Sequence, residues 1–273
     1  MSCWWRSAMA GLWHRAWSHA QAILINADQD EVAVSNNIKY LEDPAGELTF
    51  DQVQESDRPW QRVASSTPNF GFSKSWFWLR FTVLNAHPDQ DWRLQIDYPL
   101  LDDITVYVVP YAGEVQRFTG GDARPFSERP IEARMPTFPL FLQHDVPYTI
   151  YLRVSSRDTV IAPVNLLLGP RHEQLMRTEN MLFGMYFGGI AVILIYNLAM
   201  GVLLRERSYF IYIVLIGAYV IMEMSLNGTG NLFVWGEYPE FAKRIRPFML
   251  GIAAASTVLL GMAFLNLKEL RPY

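Results

Sequence analysis

Three long apolar segments in the last third of the chain constrain its fold more than any other feature. They cover residues 182–204, 209–226 and 247–267, and each is long enough to cross a bilayer core as a helix. The first has no charged residue, and the second has one acid, Glu223, near its end. One such segment is compatible with a buried helix of a soluble protein, but three in close succession predict a membrane domain.

The charged residues near these segments do not determine the orientation of the chain in the membrane. Arg205 and Arg207 lie in the tight turn after the first span, whereas Lys243, Arg244 and Arg246 lie in the longer loop before the third. Because both connections are basic, the positive-inside rule is indecisive. We therefore orient the chain by its N-terminal domain: if that domain is exported, the tight turn and the C-terminus are cytoplasmic.

Three polar residues fall at or near membrane depth: Asn197, Glu223 and Asn227. Polar groups are unfavourable in lipid and usually face the interior of a helix bundle. They are compatible with a polar network that couples a signal, and equally with helix–helix contacts or, for Glu223 and Asn227, with an interfacial position.

The first 26 residues predict a leader or an interfacial segment. Arg6 precedes an apolar stretch, and residues 20–22 (Ala-Gln-Ala) match the small-x-small pattern of a secretory cleavage site. His14, Arg15 and His19 interrupt the apolar stretch, so an N-terminus that stays attached is the alternative. In that case the tryptophans lie at a membrane interface: Trp4, Trp5, Trp13 and Trp17.

Composition argues against several classes of function. The net charge of −4 does not favour a nucleic-acid-binding surface. The single cysteine, Cys3, excludes an internal disulfide framework and a cysteine-built zinc site. The five histidines are not at metal-ligand spacing, and no phosphate loop, GxSxG or HExxH motif occurs. We therefore predict no metal, no cofactor and no catalytic residue in this chain.

Residues 27–175 predict a β domain. In residues 76–84, Phe77 and Leu79 alternate with Trp78 and Arg80, as in a half-buried strand. Similar alternation recurs around residues 94–98, 104–108, 150–154 and 164–168, with Gly, Pro and Asp turns between the runs. The sequence predicts an all-β jelly-roll-like sandwich followed by an α-helical membrane domain with three spans.

Aromatic and charged residues at the outward positions of these strands form a candidate ligand site. Aromatic rings can pack on the C–H faces of a sugar, and guanidinium groups pair with hydroxyls or carboxylates. The alternative is that the same side chains pack beneath a loop or against another sheet. The predicted ligand-binding residues are Trp76, Trp78, Arg80, Asp102, Arg134, Tyr151 and Arg153.

Several segments together resemble the bacterial seven-transmembrane receptors with diverse intracellular signalling modules, with the type 2 periplasmic domain. The β segment resembles that domain at SWFWLRFTVLN (75–85), LQIDYPLLDDITVYVV (94–109), GGDARPFSERPIEARMPTFPL (120–140) and YTIYLRVSSRDTVIAPVNLL (148–167). The membrane segment resembles the start of the family's seven-helix region at YFGGIAVILIYNLAMGVLLRERSYFIYIVLIGAYV (186–220) and SLNGTGNLFVW (225–235).

The resemblance implies a jelly-roll periplasmic domain that binds carbohydrates or similar ligands, seven helices, and a cytoplasmic output such as a histidine kinase or a diguanylate cyclase. The chain departs from this pattern because it ends at Tyr273 after three spans. We therefore expect a fragment or a truncated product, with any enzymatic activity outside these residues.

The leading hypothesis is the sensory part of a bacterial inner-membrane receptor with a periplasmic N-terminal domain. Its partners are a small, carbohydrate-like ligand and the lipid bilayer, and a second copy of the chain is a further candidate. Two alternatives remain open: a membrane-anchored carbohydrate-binding accessory protein, and a transporter subunit, for which inverted repeats or broken helices would be expected.

Overall fold

The computed structural model describes residues 22–34, 37–55, 59–63 and 67–264. Most of the predicted leader, and the last three residues of the third predicted span, lie outside these ranges. The strands are β1 (Ile23–Ile25), β2 (Glu31–Ala33), β3 (Lys39–Asp43), β4 (Gln61–Arg62), β5 (Asn69–Phe72), β6 (Trp76–Asn85), β7 (Asp91–Ile96), β8 (Asp103–Pro110), β9 (Gln116–Gly120), β10 (Thr137–Phe141), β11 (Pro147–Ser155), β12 (Thr159–Ile161) and β13 (Val164–Leu168). The α-helices are α1 (Phe50–Glu55), α2 (Gly169–Leu204), α3 (Arg207–Leu226) and α4 (Pro239–Phe264).

Two sheets face each other across one core. The larger sheet runs in the order β4-β3-β6-β11-β8-β9, with the short β1 paired in parallel to β6, and the smaller runs β10-β7-β13-β2. Strands β5 and β12 form a separate ribbon. Strand β6 is an additional strand between β3 and β11. When it is disregarded, the strand order in both sheets is that of a jelly roll. The predicted jelly-roll-like sandwich is confirmed.

Strand β6 shows why the sequence forms this layer. Its residues Phe77, Leu79, Phe81 and Val83 are buried between the sheets, and the residues that alternate with them point to the other face. Strands β8 and β11 place their apolar residues on the same side, against residues from β7 and β13 of the smaller sheet. Burial of these side chains is the main stabilising term of the domain.

Both ends of the β domain differ from the predicted boundaries. Strand β1 lies within the predicted leader, pairs with the end of β6, and buries Ile25 completely. At the other end, α2 begins at Gly169, directly after Leu168 of β13. Pro170 is compatible with this position because proline at the start of a helix lacks only an N–H that would be unpaired anyway.

Helices α2, α3 and α4 are each long and apolar enough to span a membrane. The predicted spans 182–204 and 209–226 lie within α2 and α3, and α4 contains the described part of the third. With 36 residues, α2 is about 54 Å long, far more than the roughly 30 Å of a bilayer core. Its first turns therefore extend from the β domain to the membrane.

Two of the three polar residues at or near membrane depth, Asn197 and Asn227, form local hydrogen bonds. Asn197 donates its side-chain amide to the carbonyl of Ile193 on its own helix, at 2.8 Å. The side-chain oxygen of Asn227 accepts the backbone N–H and the hydroxyl of Thr229, just after α3 ends. Asn227 thus belongs to the turn between α3 and α4, whereas Asn197 needs no partner from another helix.

Candidate functional site

The candidate ligand site lies on the face of the larger sheet that points away from the sandwich core, here called the outer face. Strand register aligns one residue from each of six neighbouring strands across it. Because directly opposed residues of antiparallel strands point to the same side, this row of side chains shares the face. In strand order from β4 to β9 the row is Arg62, Lys39, Arg80, Tyr151, Tyr107 and Arg117.

A second row, two residues along the strands, brings three of the predicted residues together. Trp78 lies opposite Arg153, whose guanidinium carbon is 5.7 Å from the centroid of the Trp78 ring and 4.0 Å from that of Trp76. Arg153 also donates to the carbonyl of Gly46 at 2.6 Å. The arginine is therefore held by aromatic rings and a backbone carbonyl.

The turn that carries Gly46 is fixed by Asp43. The Asp43 carboxylate accepts the backbone N–H groups of Gly46, Glu47 and Leu48 at 2.9–3.3 Å. Gly46 has a φ of +69°, and a β-carbon there would clash with the indole ring of Trp76. Both the backbone conformation and the close approach require glycine at this position.

Residues 48–55 continue from this turn across the middle of the outer face and cover it, together with residues 59 and 60. Phe50, at the start of α1, stacks on Tyr107 with ring centroids 4.2 Å apart and meets Tyr151 edge-on at 5.6 Å. Val53 is buried in the same small cluster. We call residues 48–55 and 59–60 the covering segment.

This cover changes the interpretation of two predicted ligand residues. Trp78 is fully buried and Tyr151 is 5% exposed, so neither presents a ring to solvent in this conformation. The alternative recognised from the sequence, packing beneath a loop, describes them better. Alternation identified the correct face of the strands but carries no information on whether another segment packs over it.

The end of the row at β4, β3 and β6 is more open and strongly basic. Arg62 is exposed, and Lys39 and Arg80 are partly exposed. The guanidinium carbon of Arg80 lies 4.3 Å from the ring centroid of Trp60, the last residue of the covering segment. Partial burial lowers the pKa of Lys39, and the neighbouring charges of Arg80 and Arg62 lower it further.

Three buried N–H groups on and under the covering segment have no acceptor among the described residues. They are the indole N–H groups of Trp60 and Trp78 and the Nε–H of Arg153. A buried donor without an acceptor destabilises a structure by about 1–3 kcal/mol. These three donors lie in the buried part of the outer face.

The other two predicted residues, Asp102 and Arg134, lie elsewhere, against the membrane helices. The guanidinium of Arg134 pairs with Glu179 of α2 at 2.9 Å and donates to the carbonyl of Asn227 at 2.9 Å. Asp102 pairs with Lys243 of α4 at 2.5 Å. Asp102 and Arg134 are close in sequence to the aromatic strands, but both lie in loops beyond the strand ends. Their sequence position therefore did not indicate that they contact the membrane helices.

Sequence reasoning missed the buried centre of this contact. Arg246 of α4 pairs with Asp122 at 3.2 Å and with Asp158 at 3.1 Å, and Asn231 donates to Asp122 at 2.6 Å. The side chains of Asp122 and Arg246 are only 2% and 15% exposed. We call the pairs formed by Asp102, Asp122 and Asp158 with Lys243 and Arg246 the ion-pair junction.

Burial raises the pKa of Asp122, although Arg246, Asn231, Lys243 and Arg129 oppose the shift. Backbone contacts extend the junction, since the N–H of Phe126 donates to the carbonyl of Gly236 at 2.9 Å. The only sequence signals were the Gly-Gly-Asp turn at 120–122 and the basic residues before the third span. The first indicated a turn and the second was used only for orientation.

Comparisons with known proteins agree with this two-part organisation. Residues 35–167 match the family model described as 7TMR-DISM extracellular 2, and residues 179–273 match that described as 7TM diverse intracellular signalling. No curated protein matches the chain. Among solved structures, TmCBM61 in complex with beta-1,4-galactotriose is similar, with 10% identity, 52% of this chain and 90% of that chain covered, and a TM-score of 0.24.

A likeness at that score carries no argument, so the sandwich assignment rests on the strand order described above. The two family models match in the order that the structure requires, a folded extracellular domain followed by the first helices of a membrane region. The chain belongs to the family of seven-transmembrane receptors with diverse intracellular signalling modules (7TMR-DISM) and comprises its type 2 extracellular domain and the start of its membrane region.

Proposed function

We propose that this chain is the sensory part of a signal-transduction receptor of the bacterial inner membrane. Its periplasmic β domain binds a small, carbohydrate-like ligand on the outer face and passes the signal through the membrane helices. The recipient is a cytoplasmic output module such as a histidine kinase or a diguanylate cyclase. Arg80, Arg153 and Trp76 are the ligand residues retained from the sequence prediction, joined by Trp60 and Arg62.

The ion-pair junction is the observation that carries this proposal. It connects the β domain to α4 through Lys243 and Arg246, while Arg134 connects the domain to α2 through Glu179. A protein that only tethers a binding domain to a membrane needs one covalent connection and no such contacts. Coupling requires a physical connection between the ligand-binding domain and the membrane helices, and these contacts to two different helices provide that connection.

Hydrogen exchange tests the coupling in the intact chain, reconstituted in lipid nanodiscs. A ligand found by screening carbohydrates is added, and exchange is followed at the outer face and at residues 227–246. We expect protection at both places, because a ligand that signals through the junction must change the contacts of the junction. Protection confined to the outer face would favour the anchored accessory protein instead.

The orientation of the chain in the membrane is tested separately. With the β domain outside, a periplasmically active phosphatase fused after Arg177 should be active, one fused after Glu206 should be inactive, and one fused after Gly236 should be active again. The alternation follows from α2 and α3 each crossing the membrane once. A reporter with the opposite sign at all three positions would place the ligand face in the cytoplasm and remove the basis of the receptor proposal.

The transporter alternative has less support. Among the described residues, the interruptions of regular α-helix near the membrane are the turn at residues 205–206 and the segment between α3 and α4, which contains a π-helix at Asn231–Trp235. That segment contacts the β domain through Asn231 and Gly236. It therefore supports attachment of the sensor domain better than it supports a transport site between spans.

A further inference from the structure

The first turns of α4 have two faces with different surroundings. One face contacts the β domain: Ala242 is buried there, and Lys243 and Arg246 form ion pairs of the junction. On the side that points away from the β domain, residues three and four positions apart share a second face, and all of them are exposed. They are Glu240, Phe241, Arg244, Pro247 and Phe248. This second face therefore meets whatever surrounds the helix at the membrane surface.

Arg244 lies at the depth of the lipid headgroups. It comes three residues before Pro247, where the third apolar segment begins, so it is about 4.5 Å outside the hydrocarbon core if α4 is close to the membrane normal. The headgroup layer on each side of a bilayer is roughly 5–7 Å thick. Glu240 is one turn further out, about 6 Å along the helix, and Phe248 lies at the top of the hydrocarbon. The exposed face thus changes from acidic to basic to apolar towards the membrane.

Both charges on this face are accessible to a partner from outside the chain. Glu240 and Arg244 are one turn apart, a spacing at which the two residue types often pair. Glu173 and Arg177 form such a pair on α2 at 3.3 Å. Among the described residues, neither Glu240 nor Arg244 forms an ion pair, whereas the adjacent Lys243 pairs with a carboxylate of the β domain. The nearest anions to Arg244 at this depth are therefore the phosphate groups of the surrounding lipids.

We infer that the exposed face of α4 binds an aminophospholipid in the leaflet next to the β domain. The guanidinium of Arg244 pairs with the lipid phosphate, whose oxygens match its planar set of donors. The Glu240 carboxylate accepts the N–H groups of the headgroup amine, and the ring of Phe248 packs against the start of an acyl chain. An anionic lipid without an amine would leave Glu240 close to a like charge, which is unfavourable.

A lipid at this position acts on the ion-pair junction from the other side of the helix. Lys243 directly precedes Arg244, and Arg246 follows two residues later. A headgroup that holds Arg244 therefore restricts rotation of the helix turn that carries both cations of the junction. This inference is independent of the ligand proposed for the outer face, because it concerns only α4 and the bilayer.

Native mass spectrometry of the intact chain, released from detergent micelles, measures the binding of single lipids. Phosphatidylethanolamine and phosphatidylglycerol with the same acyl chains are matched probes, because only the first has an amine. We expect phosphatidylethanolamine to bind about threefold or more tightly, since one exposed ion pair is added. Equal binding of the two lipids would overturn the aminophospholipid. Inorganic phosphate should not displace either lipid, and displacement would contradict the inference by showing a simple anion site.

Three variants locate the binding on α4. Arg244→Gln should weaken both lipids about fivefold or more, because it removes the cation that holds the phosphate. Glu240→Gln should weaken only phosphatidylethanolamine and so abolish the preference between the two lipids. Arg177→Gln is the matched control and should change neither, because this arginine is 81% exposed near the first span but already pairs with Glu173.

Thermal unfolding separates binding from folding. Glu240, Arg244 and Arg177 are exposed, so the melting temperature of each variant should stay nearly unchanged. A large fall for Arg244→Gln would make Arg244 a structural residue and overturn the inference, as would lipid binding that this variant leaves intact or the binding of neither lipid. A dimer in the same spectra that Phe248→Ala abolishes would assign the face to a second copy of the chain instead.

Discussion

Replacing Arg246 by alanine should open the ion-pair junction. The substitution leaves Asp122, whose side chain is 2% exposed, without its cation. Breaking a buried pair by removing one partner destabilises a structure by about 3–5 kcal/mol. Amide exchange at residues 227–235 and 120–126 should therefore accelerate roughly 100-fold or more. Exchange at β6 and β11 in the sandwich core should change little, because the ion pairs of Arg246 go to Asp122 and Asp158, which lie outside these strands.

A second substitution shows whether the charge of Asp122 is the cause. Asp122→Asn removes the buried charge and leaves Arg246 its contact with Asp158, so exchange at the junction should change much less than in Arg246→Ala. The double variant should recover part of the loss, and the difference gives the coupling energy of the pair. If the two single variants have equal and additive effects, Asp122 and Arg246 do not act as a pair.

The burial of Asp122 also makes the stability of the protein depend on pH. Burial raises the pKa of Asp122, so the folded protein binds this proton more readily than the unfolded chain does. Protonation of Asp122 therefore increases the free energy of unfolding as the pH falls through the raised pKa of this group. The contribution is lost when the pH rises above that pKa. Because Arg246 lowers this pKa, Arg246→Ala should raise it further. The loss of stability in Arg246→Ala should therefore be largest at neutral pH and should become smaller on acidification.

Replacing Trp78 by alanine should lower the stability of the β domain more than its ligand affinity. Trp78 is fully buried beneath the covering segment, between Arg153 and Tyr107. Large-to-small replacement of a buried tryptophan costs about 3–5 kcal/mol. For a domain of this size, the melting temperature should fall by about 10 °C or more. Scanning fluorimetry of the intact chain in detergent measures this fall.

Phe72 provides the matched control for Trp78. It is an aromatic residue of the same domain whose side chain is 85% exposed, so Phe72→Ala should leave the melting temperature nearly unchanged. If Trp78→Ala instead kept its melting temperature but lost ligand binding, the covering segment would have to move away and expose the indole ring. The ligand-stacking role predicted from the sequence would then be restored.

The sequence predicted the layers of the fold because burial follows the strand period. In β6 the side chains of Phe77 and Leu79 enter the core, and Trp78 and Arg80 point outward, as alternation requires. The membrane spans were predictable for the same reason, since a bilayer demands a continuous apolar segment. Hydropathy did not predict the start of α2, because residues 169–181 are helical outside the lipid and carry ordinary polar residues.

The candidate site was predictable only in part. Register brings Trp76, Trp78, Arg80, Tyr151 and Arg153 to one face, as alternation of their strands predicts. No local pattern showed that α1, a helix of only six residues, would fold back over that face. The junction depends on contacts between residues more than a hundred positions apart, such as Asp122 with Arg246, and one sequence carries no local trace of such a pair.

The direct passage of β13 into α2 has a mechanical consequence. Because the helix begins at the residue after the strand, no flexible linker separates the sandwich from the first span. A stiff rod about 54 Å long that is tilted by about five degrees moves its far end by about 5 Å. The sandwich is also attached to α4 by ion pairs, so a small rocking motion outside would slide the cytoplasmic end of α2 against its neighbours. The long helix would thus act as a lever arm, which converts a small tilt of the sandwich into a displacement of about 5 Å at the far end of α2.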